Sequence, residues 1–193
     1  STSNGVALLN RALDVRWGPG VTSPPRLGAP LEAGRLSIQS GMIQLVFYSG
    51  ARMVIEGPAE LSLVSSGEAE CRLGRLLVEV PPQAHGFRVQ TPRMNVKDLG
   101  TEFGMSVNKD TCALHVFKGS VDLSAGETKA ARNLVAGSGA EADQDGKAHC
   151  PRCDHELTVD SRLPIRAVPS PTAEGALKIV WPAPVRPRLA ASA

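Results

Sequence analysis

Two carboxylates lie four residues apart in the segment 95–107, which reads NVKDLGTEFGMSV. Asp98 and Glu102 stand on either side of Gly100, where a strand-like alternation breaks before it resumes through Phe103. Two carboxylates can act as general acid and base when both converge on one substrate. Here they flank a bend that has no basic or aromatic cluster around it. The pattern therefore favours a structural corner over an active site.

The same segment has the residue types of a tight turn. The short side chain of Asp98 can accept hydrogen bonds from backbone N–H groups two or three residues further on. Gly100 can adopt a positive φ or form a bulge, and Thr101 can add a local hydrogen bond. Phe103 begins the strand that returns to the core. We expect these four residues to form a structural turn motif and expect no catalytic residue in the chain.

A second cluster is the heptapeptide HCPRCDH, which supplies His149, Cys150, Cys153 and His155. These are zinc-ligand types, but structural zinc sites generally combine two ligand pairs separated by a dozen or more residues. One zinc ion held by all four side chains would be sterically strained. A CxxC pair at the start of a helix can be redox-active, and a local disulfide is a third alternative. We favour an incidental cluster or a local disulfide, and expect no metal and no cofactor.

The remaining candidates for nucleophilic chemistry are isolated. The chain has no GxSxG strand-turn-helix elbow, and Cys71 and Cys112 lie singly in strand-like stretches. His85 lies in a turn that enters a strand. His115 alternates with the apolar residues on either side of it, which predicts a solvent-facing side chain.

The bulk composition excludes several classes of function. The 193 residues carry 21 Lys and Arg against 19 Asp and Glu, a net charge of +2, and only 4% are aromatic. Such a chain lacks the basic surface and the stacking aromatics of nucleic-acid-binding proteins. Its apolar runs are too short for a membrane helix. Because it opens with Ser1 and not Met, we expect a processing boundary there and an upstream segment beyond it.

Short alternating segments fill the middle of the chain and must position all of these residues. Apolar residues recur at every second position between glycines, a pattern that predicts an antiparallel all-β domain of about ten strands. We expect a two-sheet, jelly-roll-like sandwich. The 16- and 17-residue spacing of Gly41, Gly57 and Gly74 leaves a short β-solenoid or roll as an alternative to three successive hairpins.

Composition divides the chain into three parts. Residues 1–30 form a lead-in followed by a Pro/Gly-rich loop, and residues 1–17 fit a short helix or two edge strands. Residues 31–142 form the β domain. Residues 143–193 contain the Cys/His cluster and then a proline-rich tail that we expect to be largely unstructured. The segment 175–181, GALKIVW, is the one apolar piece of this tail and could dock as an edge strand.

Four segments in this order resemble the FecR family: GMIQLVFYSGARMVIEGPAEL, CRLGRLLVEVPPQAHGFRVQTP, VKDLGTEFGMSV and LHVFKGSVDL. The resemblance covers about residues 31–123, extending towards Ala142. It implies a β-rich extracytoplasmic domain of a regulator anchored in the inner membrane. In that family a cytoplasmic segment controls an extracytoplasmic-function sigma factor, and the periplasmic domain receives a signal from an envelope protein.

The resemblance implies a non-enzymatic anti-sigma regulator that acts in signal transduction through protein–protein contacts. We expect the cytoplasmic segment and the membrane helix to lie outside these residues. The chain would then reach a sigma factor only through that cytoplasmic segment and a membrane only through that helix. Tyr48 and Arg52 flank the YSGAR turn and are the candidate partner contacts. The alternative is a structural β module of a bacterial envelope protein or a lectin-like carbohydrate-recognition protein, for which exposed aromatics are the expected sign.

Overall fold

The computed structural model describes residues 5–125 and 131–142, and the backbone of three further strands at 148–149, 167–169 and 177–179. All regular structure in these residues is β, apart from a 3-10 turn at Pro82–Ala84. None of the described segments is a helix long and apolar enough to cross a membrane. The strands are β1 Gly5–Trp17, β2 Pro30–Glu32, β3 Gly34–Phe47, β4 Arg52–Ser65, β5 Glu68–Glu79, β6 Arg88–Gln90, β7 Met94–Asp98, β8 Glu102–Val107, β9 Cys112–Lys118, β10 Ser120–Ala125, β11 Arg132–Val135, β12 Gly139–Ala142, β13 Ala148–His149, β14 Ala167–Pro169 and β15 Leu177–Ile179.

The alternation in the sequence predicts the buried face of most strands correctly. Side chains at every second position point into the core, because successive residues of a strand face opposite sides of the sheet. The all-β class is therefore confirmed. The residues expected in the core that are buried are Ile43, Leu45, Phe47, Leu61, Leu63, Leu76, Val78, Phe87, Val89, Phe103, Met105, Val107, Cys112, Leu114, Val116, Val121 and Leu123.

The first thirteen strands form one sheet that branches at β5. Along one edge β5 pairs with β4. Along its other edge the first residues of β5 pair with β6 and the last residues pair with β8. We use the name β7 arm for β6, β7, β10 and β11, and the name β8 arm for β8, β9, β12 and β13. Each arm includes the halves of β1, β3, β4 and β5 that continue its sheet.

Both arms contribute to one continuous hydrophobic core. An edge-to-face contact between Phe47 and Phe87, with ring centroids 4.8 Å apart, joins β3 to the segment that leads into β6. Thr91 beside β6 donates a hydrogen bond to the Sγ atom of Cys112 in β9 at 3.5 Å. The two arms therefore enclose a common interior, and each has an outer face on its opposite side.

Three glycines that were expected between strands lie inside strands. Gly41, Gly57 and Gly74 fall within β3, β4 and β5, at the points where the pairing register of these strands shifts or bends. At Gly41 the φ angle is +91°, and an added Cβ would lie 2.4 Å from the carbonyl oxygen of Asp14 in β1. The spacing therefore marks a line of bends. Because β3, β4 and β5 pair antiparallel in succession, the hairpin interpretation fits and the solenoid interpretation does not.

Two other expectations need correction. The sheet is mixed, because β5 and β6 run parallel over three residues, whereas the sequence predicted antiparallel pairing throughout. After β5 the chain passes through the 3-10 turn and returns to the beginning of β5. β6 therefore runs beside the first residues of β5 and in the same direction. Residues 5–17 are neither a helix nor two strands but the single long strand β1, which pairs with β3 and β2.

In the range 143–193, for which the sequence predicts a largely unstructured tail, the structure describes the backbone of three short strands. β13 pairs with β12 at the edge of the β8 arm, and β14 pairs with β15 in a separate two-stranded sheet. The other residues of the range 143–193 lie outside those that the structure describes. The expectation for them stays a prediction.

Candidate functional site: the Asp98 corner and the Tyr48 hairpin

The corner at Asp98 joins β7 to β8 and ties several segments together. One carboxylate oxygen of Asp98, Oδ2, accepts a hydrogen bond of 2.8 Å from the Gly100 N–H. The Asp98 N–H donates to the carbonyl of Phe87 at 2.8 Å, and the Leu99 N–H donates to that of Ser120 at 3.2 Å. The carbonyl of Thr101 accepts from the Val80 N–H at 2.8 Å. The corner is thus built into the junction of the two arms.

Asp98 is fully buried, with no exposed surface. Its second carboxylate oxygen, Oδ1, and the hydroxyl of Thr101 have no hydrogen-bond partner among the described residues. Burial raises the pKa of the Asp98 carboxyl, while the amides of Gly100, Thr101 and Gly86 and the charge of His85 act in the opposite direction. Burial therefore has the larger effect on this carboxylate, because desolvation disfavours its charged form.

Close backbone contact shapes the corner on its other side. Gly100 has a φ of +90° and Gly119, between β9 and β10, has a φ of +73°. A Cβ atom on Gly119 would lie 2.2 Å from the carbonyl oxygen of Gly100. Only glycine allows both the backbone conformation and this approach. Phe103 follows the corner as a fully buried side chain of β8, paired in register with Val78 and Val116.

The two acids of the segment do not form a convergent pair. Asp98 is enclosed in the corner, whereas Glu102 is half-buried and lies in register between Glu79 and Lys118. The nearest neighbours of Glu102 along the sheet are therefore charged surface residues. A groove of about 250 Å³ on the β7 arm is lined by other residues, among them Arg35, Glu60 and Arg72. Neither acid lines it.

The hairpin between β3 and β4 presents the other predicted residues at the surface. Its turn is closed by N–H groups of Phe47 and Gly50, which donate to the carbonyls of Ala51 and Phe47 at 2.8 Å each. Tyr48 is 54% exposed. Arg52 lies 3.5 Å from a carboxylate oxygen of Glu79, and both side chains are more than half exposed. The hairpin thus offers an aromatic ring and an ion pair to solvent.

The two histidines occupy different environments. His85 is exposed beside the corner. Leu114 and Val116 are buried, so His115 lies on the outer face, as their alternation predicts. It is nevertheless half-buried, and burial lowers the pKa of its imidazole. The reason is its register with Gly139 in β12: the strand added at this edge covers one side of the ring.

Within the described residues, no three His, Cys, Asp or Glu side chains lie close enough together to hold a metal ion. Cys71 and Cys112 are free, buried thiols, and burial raises their pKa values to about 12 and about 11. Of the cluster, only the backbone of His149 is described, as part of β13. Cys150, Cys153 and His155 lie outside the described residues, so the expectation for this cluster stays a prediction.

An apolar patch on the outer face of the β8 arm was missed. Val54 and Leu77 are buried there and are packed against Met42 and Phe117, separately from the main core. The signal was present in the sequence. Each of Val54 and Leu77 is the middle member of three consecutive apolar residues, MVI and LLV, and the middle residue of such a run must face away from its neighbours.

Comparison with known proteins gives a family match for the central part of the chain and a similar fold in two solved structures. Residues 35–122 match the family described as FecR protein. Two crystal structures of a proposed anti-sigma factor from Parabacteroides distasonis are similar in fold. The first has a TM-score of 0.52 and 17% identity, and the match covers 60% of this chain and 57% of that one. The second has a TM-score of 0.53 and 15% identity, and the match covers 70% of this chain and 68% of that one. No curated protein matches the chain.

Proposed function

Because residues 35–122 are a FecR domain, we propose that this chain is the extracytoplasmic sensory and interaction module of a FecR-type regulator. The module acts through protein–protein contacts and governs an extracytoplasmic-function sigma factor. Contact with the sigma factor itself belongs to a cytoplasmic segment of such regulators. The family match is the observation that carries this proposal, and the similar fold of the proposed anti-sigma factor supports it.

The interaction module that we propose spans residues 31–142, with β1 packed alongside. Its two arms act as the two faces of a jelly-roll-like sandwich, an arrangement favoured by their shared core. The distribution of polar groups supports binding over catalysis. The one carboxylate in the corner is enclosed, while the exposed groups of Tyr48 and Arg52 stand on a hairpin.

The hairpin is the contact surface that we propose for an envelope partner protein. Exposed aromatic and arginine side chains are the residue types that contribute most to protein interfaces. The ion pair of Arg52 with Glu79 is solvent-screened and contributes little to stability. Its groups can therefore exchange partners without loss of the fold. The extracytoplasmic location and the membrane anchor of the parent protein belong to the same proposal.

The proposal is tested in the organism that makes the protein. The codons for residues 31–142 are deleted in frame, and the transcriptome is compared with that of the parent strain and of a strain with restored codons. We expect a coordinated change in one set of genes that share a sigma-dependent promoter, reversed on restoration. Transcript levels that are identical in the three strains would exclude a regulator and favour a structural envelope module.

A further inference from the structure

Two buried thiols lie in the shared core, apart from the corner and the hairpin. Cys71 directly follows the residues of β5 that pair with β6, and Cys112 is the first residue of β9 in the β8 arm. Both side chains have no exposed surface, and both are free thiols in this structure. They are therefore two oxidisable groups from different branches of the sheet within one hydrophobic core.

The pairing of the strands brings the two cysteines to one place. Glu70 of β5 pairs with Gln90 of β6 in the parallel ladder. The next residues along the two strands, Cys71 and Thr91, therefore follow side by side at the strand spacing of about 4.8 Å. The Thr91 hydroxyl donates a hydrogen bond to the Sγ atom of Cys112 at 3.5 Å. Thr91 thus contacts one cysteine and neighbours the other.

The electrostatics of the core agree with this placement. Burial raises the pKa of the Cys71 thiol, and the nearby Cys112 is the next largest cause of that rise. The charge of one sulfur disfavours a charge on the other only over a short distance, and most strongly in a core without water. The two sulfur atoms therefore lie close to each other as well as close to Thr91.

Weak hydrogen bonds hold both sulfur atoms in their present positions. The thiol of Cys71 donates to the carbonyl of Leu73 at 3.4 Å, and the sulfur of Cys112 accepts from Thr91 at 3.5 Å. A thiol is a weak donor and its sulfur a weak acceptor, so rotation of these short side chains can break both contacts. Among the described residues no third His, Cys, Asp or Glu completes a metal site with them. The bond open to this pair is one between the two sulfurs.

We infer that Cys71 and Cys112 form a disulfide bond that joins the β7 arm to the β8 arm when the chain folds in an oxidising compartment. That compartment is the extracytoplasmic location of the proposed function, on which this step rests. The two thiols lose two protons and two electrons as the S–S bond forms. A disulfide of an oxidoreductase or of glutathione accepts them, and its own S–S bond breaks to give two thiols.

The burial of both sulfurs sets the order of events. Because neither side chain has exposed surface in the folded protein, the oxidant reaches the thiols before the core closes. The finished bond is then out of reach of reductants. It closes the chain between Cys71 and Cys112, a segment that contains β6, β7 and β8. A bond of this kind stabilises the fold mainly by restricting the unfolded chain, and here it keeps the two arms together.

Refolding of the full chain in a redox buffer tests the pairing. The changes Cys150→Ser and Cys153→Ser leave Cys71 and Cys112 as the remaining cysteines. The reduced protein is unfolded in urea and refolded in a mixture of glutathione and glutathione disulfide. Circular dichroism verifies the fold, and free thiols are alkylated before the protein is analysed.

Digestion with trypsin under denaturing, non-reducing conditions detects the bond. Peptide 53–72 carries Cys71, and peptide 110–118 carries Cys112. We expect mass spectrometry to find most of both peptides in one linked species, which reduction separates. The urea midpoint of the oxidised protein should fall when a reductant is present during unfolding. The double variant Cys71→Ala and Cys112→Ala should show no such dependence.

The same redox buffer applied to the chain in urea is the matched control. In the unfolded chain the two cysteines meet only at the cost of closing a long flexible loop, so adducts with glutathione should predominate over the linked peptide. A linked fraction that is no larger after refolding than in urea would overturn the inference. Refolded protein in which both thiols are free or carry glutathione would also overturn it.

Protein isolated from its native host separates this disulfide from the proposed location. Thiols are alkylated at harvest, and the linked peptide is expected in this preparation too. A bond that forms on refolding but is absent from the host protein would contradict the extracytoplasmic location and leave the pairing in the fold standing. Free thiols in both preparations would contradict the pairing itself.

Discussion

The Asp98 corner and the Tyr48 hairpin are both turns between strands, and each carries a residue whose type suggests a function. That residue is a carboxylate in the corner and an aromatic ring in the hairpin. In the corner the carboxylate is fully buried and one of its oxygens accepts the Gly100 N–H. In the hairpin the ring of Tyr48 and the guanidinium of Arg52 are mostly exposed. The comparison shows that residue type alone does not locate a site. Burial is consistent with a structural role for the corner, and exposure makes the hairpin the surface that we propose for partner contact.

Removing one aromatic ring from each turn should give the largest difference in the free energy of unfolding. Phe103 follows the corner and is fully buried, whereas Tyr48 is exposed. We expect Phe103→Ala to lower the free energy of unfolding by about 3–5 kcal/mol, because it leaves a cavity in the core. Tyr48→Ala should change it by less than about 0.5 kcal/mol. Urea unfolding of both variants measures the difference, and equal losses would remove the distinction between the two turns.

The second largest loss of stability is expected from a side chain placed where Gly119 approaches Gly100. Gly119→Ala places a Cβ atom 2.2 Å from the Gly100 carbonyl oxygen at a positive φ. Gly137 also has a positive φ, but a Cβ there would meet no atom within 4 Å. We expect Gly137→Ala to cost about 1–2 kcal/mol for its backbone conformation, and Gly119→Ala to cost a further 1–3 kcal/mol or so for overpacking. Thermal unfolding should show the additional loss at Gly119; similar midpoints for both variants would mean that the corner can open freely.

Changes at Asp98 itself should separate its hydrogen bond from its charge. Asp98→Ala leaves the part-buried Gly100 N–H without its acceptor, and we expect it to lower the free energy of unfolding by about 1–3 kcal/mol. Asp98→Asn keeps an acceptor oxygen but carries no charge. At neutral pH it should therefore be at least as stable as the unaltered protein, as measured by urea unfolding.

The pH dependence of that difference has a definite sign. Burial raises the pKa of the folded-state carboxyl above its ordinary value of 3.8, so the folded protein favours the protonated form. The stability from this shift is fully present below pH 3.8 or so and is lost as the pH rises through the raised pKa. Asp98→Asn should lack this loss. If the unaltered protein instead gains stability over Asp98→Asn on going from acid to neutral pH, the carboxylate is better stabilised than its burial implies.

The ion pair of the hairpin should have the smallest effect on stability. Arg52 and Glu79 are more than half exposed and 3.5 Å apart. Exposed pairs contribute about 0–1 kcal/mol, so Arg52→Ala should shift the unfolding midpoint only slightly. A large loss of stability in calorimetry would show that the hairpin is also a structural element and would weaken its assignment as a contact surface.

Much of the fold follows from local pattern, and the rest depends on long-range pairing. Alternation identifies the strands and their buried faces because it reflects the two-residue period of a strand. It fails in β1, where register shifts after Leu9 and Leu13 interrupt the period. The branching of the sheet at β5 and the parallel β5–β6 pair join residues far apart in sequence, and no local signal specifies them. The regular spacing of Gly41, Gly57 and Gly74 is visible in the sequence, but only the structure shows that Gly41 and Gly74 bend strands and do not end them.

The candidate site divides in the same way. The hydrogen bond from the Gly100 N–H to the Asp98 carboxylate could be predicted, since an acidic side chain that accepts an N–H two residues ahead is a local feature. Two features could not be predicted, because segments distant in the chain create them: the Oδ1 atom of Asp98 has no hydrogen-bond partner among the described residues, and Gly119 approaches Gly100 closely. The apolar patch on the outer face of the β8 arm could be predicted in part, because the middle residue in each of the runs MVI and LLV must lie on that face. The packing of Met42 and Phe117 against Val54 and Leu77 depends on the order of the strands in the sheet.

The most direct test of the account compares one matched pair of variants in the native host. Transcription from the regulated promoter is measured with and without the inducing conditions for Asp98→Asn and for the double change Tyr48→Ala and Arg52→Glu, after the stability of both proteins has been verified. The account predicts a normal response for Asp98→Asn and an altered response for the hairpin variant. A lost response in Asp98→Asn together with a normal response in the hairpin variant would contradict it.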